Sequence, residues 1–232
     1  MSLLNIDSNA KTVKGEKFGY LTGIIYFAPA KLSGTEMCSH RTAGCTAACL
    51  NTSGMGSMDS VQQARIKKTR YFLDNKTEFL AELRKDINSL MKRAHREGLI
   101  PCVRLNGTSD YPWEITGIIQ EYPILQFYDY TKNPKRMVKY LSNEMPKNYH
   151  LTFSASEDNI ETCEKMMELG GNVAMVFDEI PTSFRGRKVI NGDESDLRFL
   201  DELGVIVGLK MKGRAKKDTN GFVYKQEPII VE

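Results

Sequence analysis

Runs of β-branched and aromatic residues alternate with helical patterns along most of this 232-residue chain. The runs with strand character cover 18–28, 100–107, 124–130, 149–157, 172–179, 188–192 and 204–213. The clearest helical pattern covers 75–98, where apolar side chains recur at steps of three and four residues: Phe79, Leu83, Ile87, Leu90 and Ala94. Strands that alternate with helices predict parallel βαβ units.

We therefore expect a single α/β domain over 1–232, because no repeat or Pro/Ser-rich linker divides the chain. A complete barrel, a partial barrel and an open doubly wound sheet all fit this pattern. The stretch DESDLRFLDEL (193–203) is predicted to form a helix, with Asp193 as its N-cap, before the last strong strand. In folds of this class, functional residues gather at the carboxyl ends of the strands.

The charge balance argues against a nucleic-acid partner. There are 32 basic and 29 acidic residues, for a net charge of +3. The basic stretch KMKGRAKK (210–217) is the one segment that favours such a partner. No apolar run is long enough to cross a membrane, and the N-terminus lacks the apolar region of a secretory signal, so we expect a cytoplasmic protein.

A cysteine-rich loop follows the first strand, at about 30–58. Three of the five cysteines lie in it, with the spacing Cys38-x6-Cys45-x3-Cys49. In the cytoplasm thiols stay reduced, so clustered cysteines indicate metal ligands rather than disulfides. Cys102 and Cys163 fall in apolar patterns and are expected to be core residues.

The identity of the metal stays open at this point. Zinc would take Cys38, Cys45 and Cys49 with His40 as the fourth ligand. An iron–sulfur cluster would take the same three thiolates and leave one iron for another ligand: His40, Cys102, Asp129 or an exogenous small molecule. A loop at the mouth of an α/β fold that has its own core favours the cluster over a structural zinc ion.

Polar side chains follow the other strands of the predicted sheet. Candidates for binding a cofactor or substrate at this edge are Asn106, Asp129, Lys132, Ser154, Glu157 and Lys210. Lys210 and Lys212 would bind an anionic ligand or pair with nearby carboxylates. Arg65 lies on a helix and is expected to be solvated.

A strand, a three-cysteine loop and then βα units resemble the layout of the radical S-adenosylmethionine (SAM) superfamily. This resemblance implies a partial (βα) barrel and a [4Fe–4S] cluster on Cys38, Cys45 and Cys49, with SAM at the open iron. The superfamily spacing is C-x3-C-x2-C, and NGTSD (106–110) stands here in place of its Gly-Gly-Glu-like stretch. Only the cluster ligands therefore carry over.

A closer likeness is to the phage-encoded family called gene product 88. It covers 18–222 and is carried by CSHRTAGCTAACLNTSGMGSMDSVQQARIKKTRYF, VRLNGTSD, YDYTK and VINGDESDLRFLD. It implies action in the host cytoplasm and brings no established reaction.

These observations lead us to expect an iron–sulfur protein that acts as a radical-SAM-like enzyme on a substrate that the sequence does not name. One alternative is a phage binding or regulatory protein that contacts a host protein and has a cluster or a zinc site but no turnover. Another is a nucleic-acid-acting protein that uses the stretch 210–217.

Overall fold

The structure, a computed structural model, describes residues 2–7 and 13–225. Its strands are β1 (Tyr20–Ile24), β2 (Ile100–Arg104), β3 (Gln126–Thr131), β4 (Tyr149–Ser154), β5 (Val173–Phe177), β6 (Ser183–Phe184), β7 (Arg187–Asn191), β8 (Ile206–Lys210) and β9 (Val223–Tyr224). Its α-helices are α1 (Ala43–Ala47), α2 (Asp59–Asp74), α3 (Lys76–Glu97), α4 (Pro134–Leu141) and α5 (Ile160–Glu168).

The strands form one mixed, mostly parallel sheet in the order β1-β2-β3-β4-β5-β8-β7-β6. The first five strands pair in chain order and in parallel, as the alternation of strands and helices predicts. The hairpin of β6 and β7 is the antiparallel part. β7 pairs in parallel with β8.

β9 occupies a gap at the carboxyl edge of the sheet. It pairs with Val176 and Phe177 at the end of β5, whereas β4 pairs with Val173 and Ala174 at its start. Because β8 lies along the whole of one side of β5, β9 takes the other side, between the diverging ends of β4 and β5. The Tyr224 hydroxyl donates a hydrogen bond of 3.1 Å to the carbonyl of Ser156, just after β4.

One face of the sheet, the outer face, is covered by helices. Alternate strand residues such as Leu21, Val103 and Phe127 share a single apolar core with α2 to α5. The largest aromatic group in this core surrounds Phe79, whose ring lies 5.1 Å from that of Phe72 and 5.7 Å from that of Phe27. Burial of these side chains is the main stabilising term of the fold.

The opposite face, the inner face, is covered by the loop between β7 and β8. Two adjacent residues of this loop, Arg198 and Phe199, contact strands at opposite edges of the sheet. A methyl group on Gly192, just past β7, would meet Arg198 Nη1 at 3.0 Å, and Phe199 packs edge-on against Tyr20 of β1 with ring centroids 5.2 Å apart. On a flat sheet β1 and β7 would lie six strand spacings apart, about 29 Å. Two neighbouring side chains cannot span that distance, so the sheet curls around the loop.

The curled sheet stays open. In residues 2–7 and 13–225, no pairing joins β1 to β6 or β7. Nor does any helix in this part of the chain combine the length and the apolar character that a bilayer crossing requires. The mostly parallel α/β class is thus confirmed.

The helix predicted at 193–203 is wrong. Turn and irregular backbone occupies 193–197, and a single 3-10 turn follows at Arg198–Leu200. Leu197 and Phe199, two residues apart, both pack into an inner-face cluster with Cys102 and Tyr128. These tertiary contacts hold the segment against the sheet and override its local helical preference.

Candidate functional site at the carboxyl edge of the sheet

The cysteine loop runs from the end of β1 to the start of α2 and lies at the carboxyl edge of the sheet. Cys38, Cys45 and Cys49 are free thiols, each half-buried. Cys45 lies in the short helix α1, whose N-cap is Thr42; the Thr42 hydroxyl accepts a hydrogen bond of 3.1 Å from the Cys45 amide. The predicted loop therefore places all three sulfur atoms at the predicted edge.

The three thiols are electrostatic neighbours. Burial raises the pKa of the Cys38 thiol to about 12, the amide of Ala30 lowers it, and negative charge on Asp110, Cys49 and Cys45 raises it further. Burial also raises the pKa of Cys49, and Cys45 adds to this effect. The Ala30 amide donates to the Cys38 sulfur at 3.4 Å.

The thiols do not converge on a single point. Within the described ranges, no three His, Cys, Asp or Glu side chains are placed to hold a metal ion together. His40 is exposed, and its Nδ1 lies 2.9 Å from the Ser39 hydroxyl. The tetrahedral arrangement of His40 with the three thiols is therefore not preassembled.

Two cations lie close to Cys49. Both Arg65 and Lys132 lower the pKa of this thiol, against the larger effect of burial. Arg65 donates from Nη1 to Asn51 Oδ1 at 2.5 Å, and its guanidinium lies 4.8 Å from the centre of the Tyr26 ring. The prediction that Arg65 is solvated is wrong: the side chain is half-buried, because it packs between Asn51 and the Tyr26 ring.

Lys132, a predicted site residue, follows β3. Its ammonium group lies 5.6 Å from the Phe222 ring centre, just before β9. It also lines a groove of about 320 Å³ beside the cysteine loop, together with Arg41, Asp158 and Thr162. Lys132 therefore lies beside both the groove and the Cys49 thiol.

Glu157, also predicted, joins the cysteine loop to β4. Its carboxylate accepts hydrogen bonds from the Thr42 hydroxyl at 2.7 Å and from the Gly44 amide at 2.6 Å. A methyl group at position 44 would meet Glu157 Oε2 at 2.7 Å, so glycine is needed for this close approach. The structure thus assigns Glu157 a positioning contact in which it caps the helix that carries Cys45.

Asn106 and Asp129 belong to one buried network beneath this edge. Asp129 accepts hydrogen bonds from the Asn106 amide at 2.7 Å and from the Tyr149 hydroxyl at 2.8 Å. The Asn106 side chain accepts from Ser109 and Tyr111. Both predicted residues therefore hold the loop after β2, and the carbonyl of Thr108 in that loop lies 3.8 Å from the Cys38 sulfur.

The remaining predicted residues make contacts with other parts of the chain. Ser154 ends β4, and its carbonyl accepts a hydrogen bond from Asn159. Lys210 is exposed, and its amide donates to the Asp193 carboxylate. Lys212 pairs with Asp193 at 2.8 Å, so Asp193 contacts β8 and the segment after it instead of capping a helix.

Two of the proposed fourth ligands are engaged elsewhere. Cys102 is buried on the inner face, with its sulfur 3.2 Å from the Thr22 hydroxyl. The charge that raises its pKa, after burial, is that of Asp196, not that of a loop thiol. Asp129 is held in the network with Asn106 and Tyr149.

Residues 2–226 match the family model described as gene product 88. The chain belongs to the gene product 88 family. The resemblance to this family is therefore confirmed and extends over nearly the whole chain. Neither the curated proteins nor the solved structures provide a match.

Proposed function

We propose that this gene product 88 protein is an iron–sulfur protein of the host cytoplasm, with a [4Fe–4S] cluster on Cys38, Cys45 and Cys49. The observation that carries the proposal is the gathering of three free, half-buried thiols of one loop at the carboxyl edge of the sheet. The proposal includes a radical-SAM-like activity and a partial-barrel relationship to that superfamily.

The number of thiols in the loop matches the three thiolates of a cluster that leaves one iron open to another ligand. The three thiols influence one another's pKa. Arg65 and Lys132 are placed to offset the negative charge of bound thiolates. The Ala30 amide supplies a hydrogen bond to sulfur, of the kind that tunes cluster potentials.

When bound, such a cluster supplies single electrons to a ligand at its open iron, and a sulfonium such as SAM is the ligand that the resemblance implies. The chain's own residues position this chemistry. Glu157 holds α1 against β4, and Asn106 holds the loop that faces Cys38. Lys132 is the cation that lies beside both the groove and the Cys49 thiol.

The cysteines themselves provide the test and its control. The protein is purified without oxygen, and iron, zinc and sulfide are measured together with the visible spectrum. We expect about four irons in the wild type and loss of most iron after Cys38→Ala, Cys45→Ala or Cys49→Ala. Cys102→Ala and Cys163→Ala, which change buried thiols outside the loop, should keep the wild-type iron content. Equal iron in all five variants, or zinc without iron, would refute the cluster.

Glu157→Gln tests the positioning contact. The amide cannot accept from both the Thr42 hydroxyl and the Gly44 amide as the carboxylate does. We expect slower reconstitution with iron and sulfide, while the exposed Glu168→Gln loads at the wild-type rate. Equal loading rates in the two variants would show that the carboxylate does not organise the loop.

The enzymatic part is tested separately. The reduced protein is incubated with SAM, and 5′-deoxyadenosine is measured. Its formation in the wild type and its loss in Cys45→Ala would support the enzyme. A cluster-loaded protein that leaves SAM intact would point instead to a binding or regulatory protein without turnover.

A further inference from the structure

The inner face of the sheet carries a cluster of charged side chains that no part of the proposed chemistry uses. Arg104 at the end of β2 donates from Nη1 to Asp196 Oδ2 at 2.9 Å. Arg198, from the covering loop, donates from Nη2 to the Ser195 carbonyl at 2.6 Å and lies 3.2 Å from Asp201 Oδ2. The Arg104 guanidinium also stacks 4.7 Å from the ring centre of Tyr130 on β3.

Apart from Arg198 Nη1 and Asp201 Oδ2, which form an ion pair with each other, three polar atoms in this cluster are buried without a hydrogen-bond partner in the described part of the chain. They are the Nε atoms of Arg104 and Arg198 and the hydroxyl of Tyr130. A buried donor that loses water without gaining a partner costs about 1–3 kcal/mol, and more when it is charged. Three such atoms on one small surface indicate that something outside the described fold completes it.

The unpartnered atoms belong to side chains that come from three separate elements and share one environment. Tyr130 is surrounded by the charges of Arg198, Asp196, Arg104 and Asp201. The side chain of Arg104 keeps 12% of its surface exposed and Tyr130 is half-buried, so both side chains reach solvent although their unpartnered atoms are buried. Arg104 and Tyr130 lie at the carboxyl ends of their strands, on the same edge as the cysteine loop.

The chemistry of the three unpartnered atoms defines the partner. A guanidinium Nε–H can only donate, and a tyrosine hydroxyl can donate, so an acceptor oxygen satisfies all three. Asp196 and Asp201 already balance the two arginines, and burial lowers the pKa of the neighbouring His150 to about 4, which leaves it neutral at pH 7. Planar guanidinium groups bind carboxylate and phosphate oxygens with good geometry.

We propose that Arg104, Tyr130 and Arg198 bind an oxyanion, the carboxylate or phosphate of a small ligand, on the inner face of the sheet. That this oxyanion belongs to the substrate of the enzyme is an inference that rests on the proposed function. Binding of the oxyanion itself does not require the iron–sulfur cluster.

Inorganic phosphate and citrate are the probes, and binding is measured by calorimetry on the full chain. Tyr130→Phe removes only the unpartnered hydroxyl, and Arg104→Lys keeps the charge beside Asp196 but removes Nε. We expect each variant to weaken binding about tenfold, the loss of one hydrogen bond to a charged group. Tyr20→Phe, on the same face but outside the cluster, is the matched control and should bind as the wild type does.

Two outcomes would overturn the proposal. One is that neither probe binds the wild type at millimolar concentration, which would mean that only water fills these positions. The other is equal binding by the wild type and all three variants, as general ion effects on proteins would produce. A Cys45→Ala/Cys49→Ala variant separates the two proposals, because it should bind phosphate normally. Phosphate binding by a protein that takes up no iron would retain this site and refute the cluster.

Discussion

The two faces of the curled sheet differ in what fills them. The outer face packs apolar side chains of the strands against four helices in one continuous core. The inner face meets a single loop and holds two arginines, two aspartates and several tyrosines. The outer face supplies most of the free energy of folding, whereas the inner face uses buried polar groups whose net contribution is small and whose value lies in recognition.

The largest expected effect comes from the outer face. Phe79→Ala removes a ring with no exposed surface that touches Phe72 and Phe27, so unfolding by urea should show a loss of about 3–5 kcal/mol. Leu203→Ala, at a side chain 77% exposed, should change stability by less than about 0.5 kcal/mol. If Phe79→Ala lost less free energy of unfolding than the inner-face variants, the outer face would not be the main source of stability.

Next comes the buried ion pair of the inner face. Asp196→Ala leaves Arg104 without its carboxylate, which should cost roughly 3 kcal/mol in urea unfolding. Adding Arg104→Met should recover much of that loss, because the stranded charge is removed. Glu202→Ala breaks the exposed pair with Lys188 and should cost at most about 1 kcal/mol. Equal costs for the buried and the exposed pair would show that the inner face is well solvated.

A pH effect should also distinguish the faces. Burial, and then the charge of Arg198, lower the pKa of His150 from 6.5 to about 4. The unfolded chain therefore binds the proton first, and the stability that neutral His150 provides is lost as the pH falls from 6.5 towards 4, by roughly 3 kcal/mol.

Urea titrations of the wild type and His150→Gln across this range isolate the effect. The stability profile of the variant must be subtracted from that of the wild type, because titration of Asp129 changes stability with pH in the opposite direction. Burial raises its pKa to about 7, so its contribution to stability increases as the pH falls. Parallel pH profiles for the two proteins would show that His150 titrates normally.

The smallest loss of stability is expected at Tyr130. Its hydroxyl has no hydrogen-bond partner within the described residues, so Tyr130→Phe should cause no loss of stability. On the outer face, Tyr149→Phe removes a hydroxyl that donates to Asp129 at 2.8 Å and accepts from Arg136 at 3.0 Å, and should cost about 1–3 kcal/mol. Similar losses in thermal unfolding would show that both hydroxyls are paired.

The elements of the outer face could be predicted because their signals are local. The period of apolar residues in 75–98 predicts α3, found at Lys76–Glu97, and its pattern residues are buried in the core. β-branched and aromatic runs predict β1 to β5, which pair in parallel. The cysteine spacing predicts a thiol-rich loop, and the loop lies at the predicted edge.

The inner face could not be predicted in this way. Arg104 and Asp196 are 92 residues apart in the chain, and nothing in the spacing of either residue points to the other. The sequence pattern at 193–203 favours an α-helix, but the segment forms irregular backbone and one 3-10 turn, with Leu197 and Phe199 packed against the sheet. Of the predicted site residues, Glu157 and Lys132 lie beside the cysteine loop. Asn106 and Asp129 instead hold the loop after β2, which contacts the cysteine loop at Cys38.

The sequence by itself determined the strand and helix segments, the mostly parallel class and the clustering of three thiols, because periodicity and spacing act over a few residues. Only the tertiary structure decided that the sheet curls around the loop after β7, that Glu157 caps the cysteine helix and that Arg104, Tyr130 and Arg198 meet. These contacts join segments distant along the chain, and the closure of long loops depends on the packing of the whole sheet rather than on any local preference.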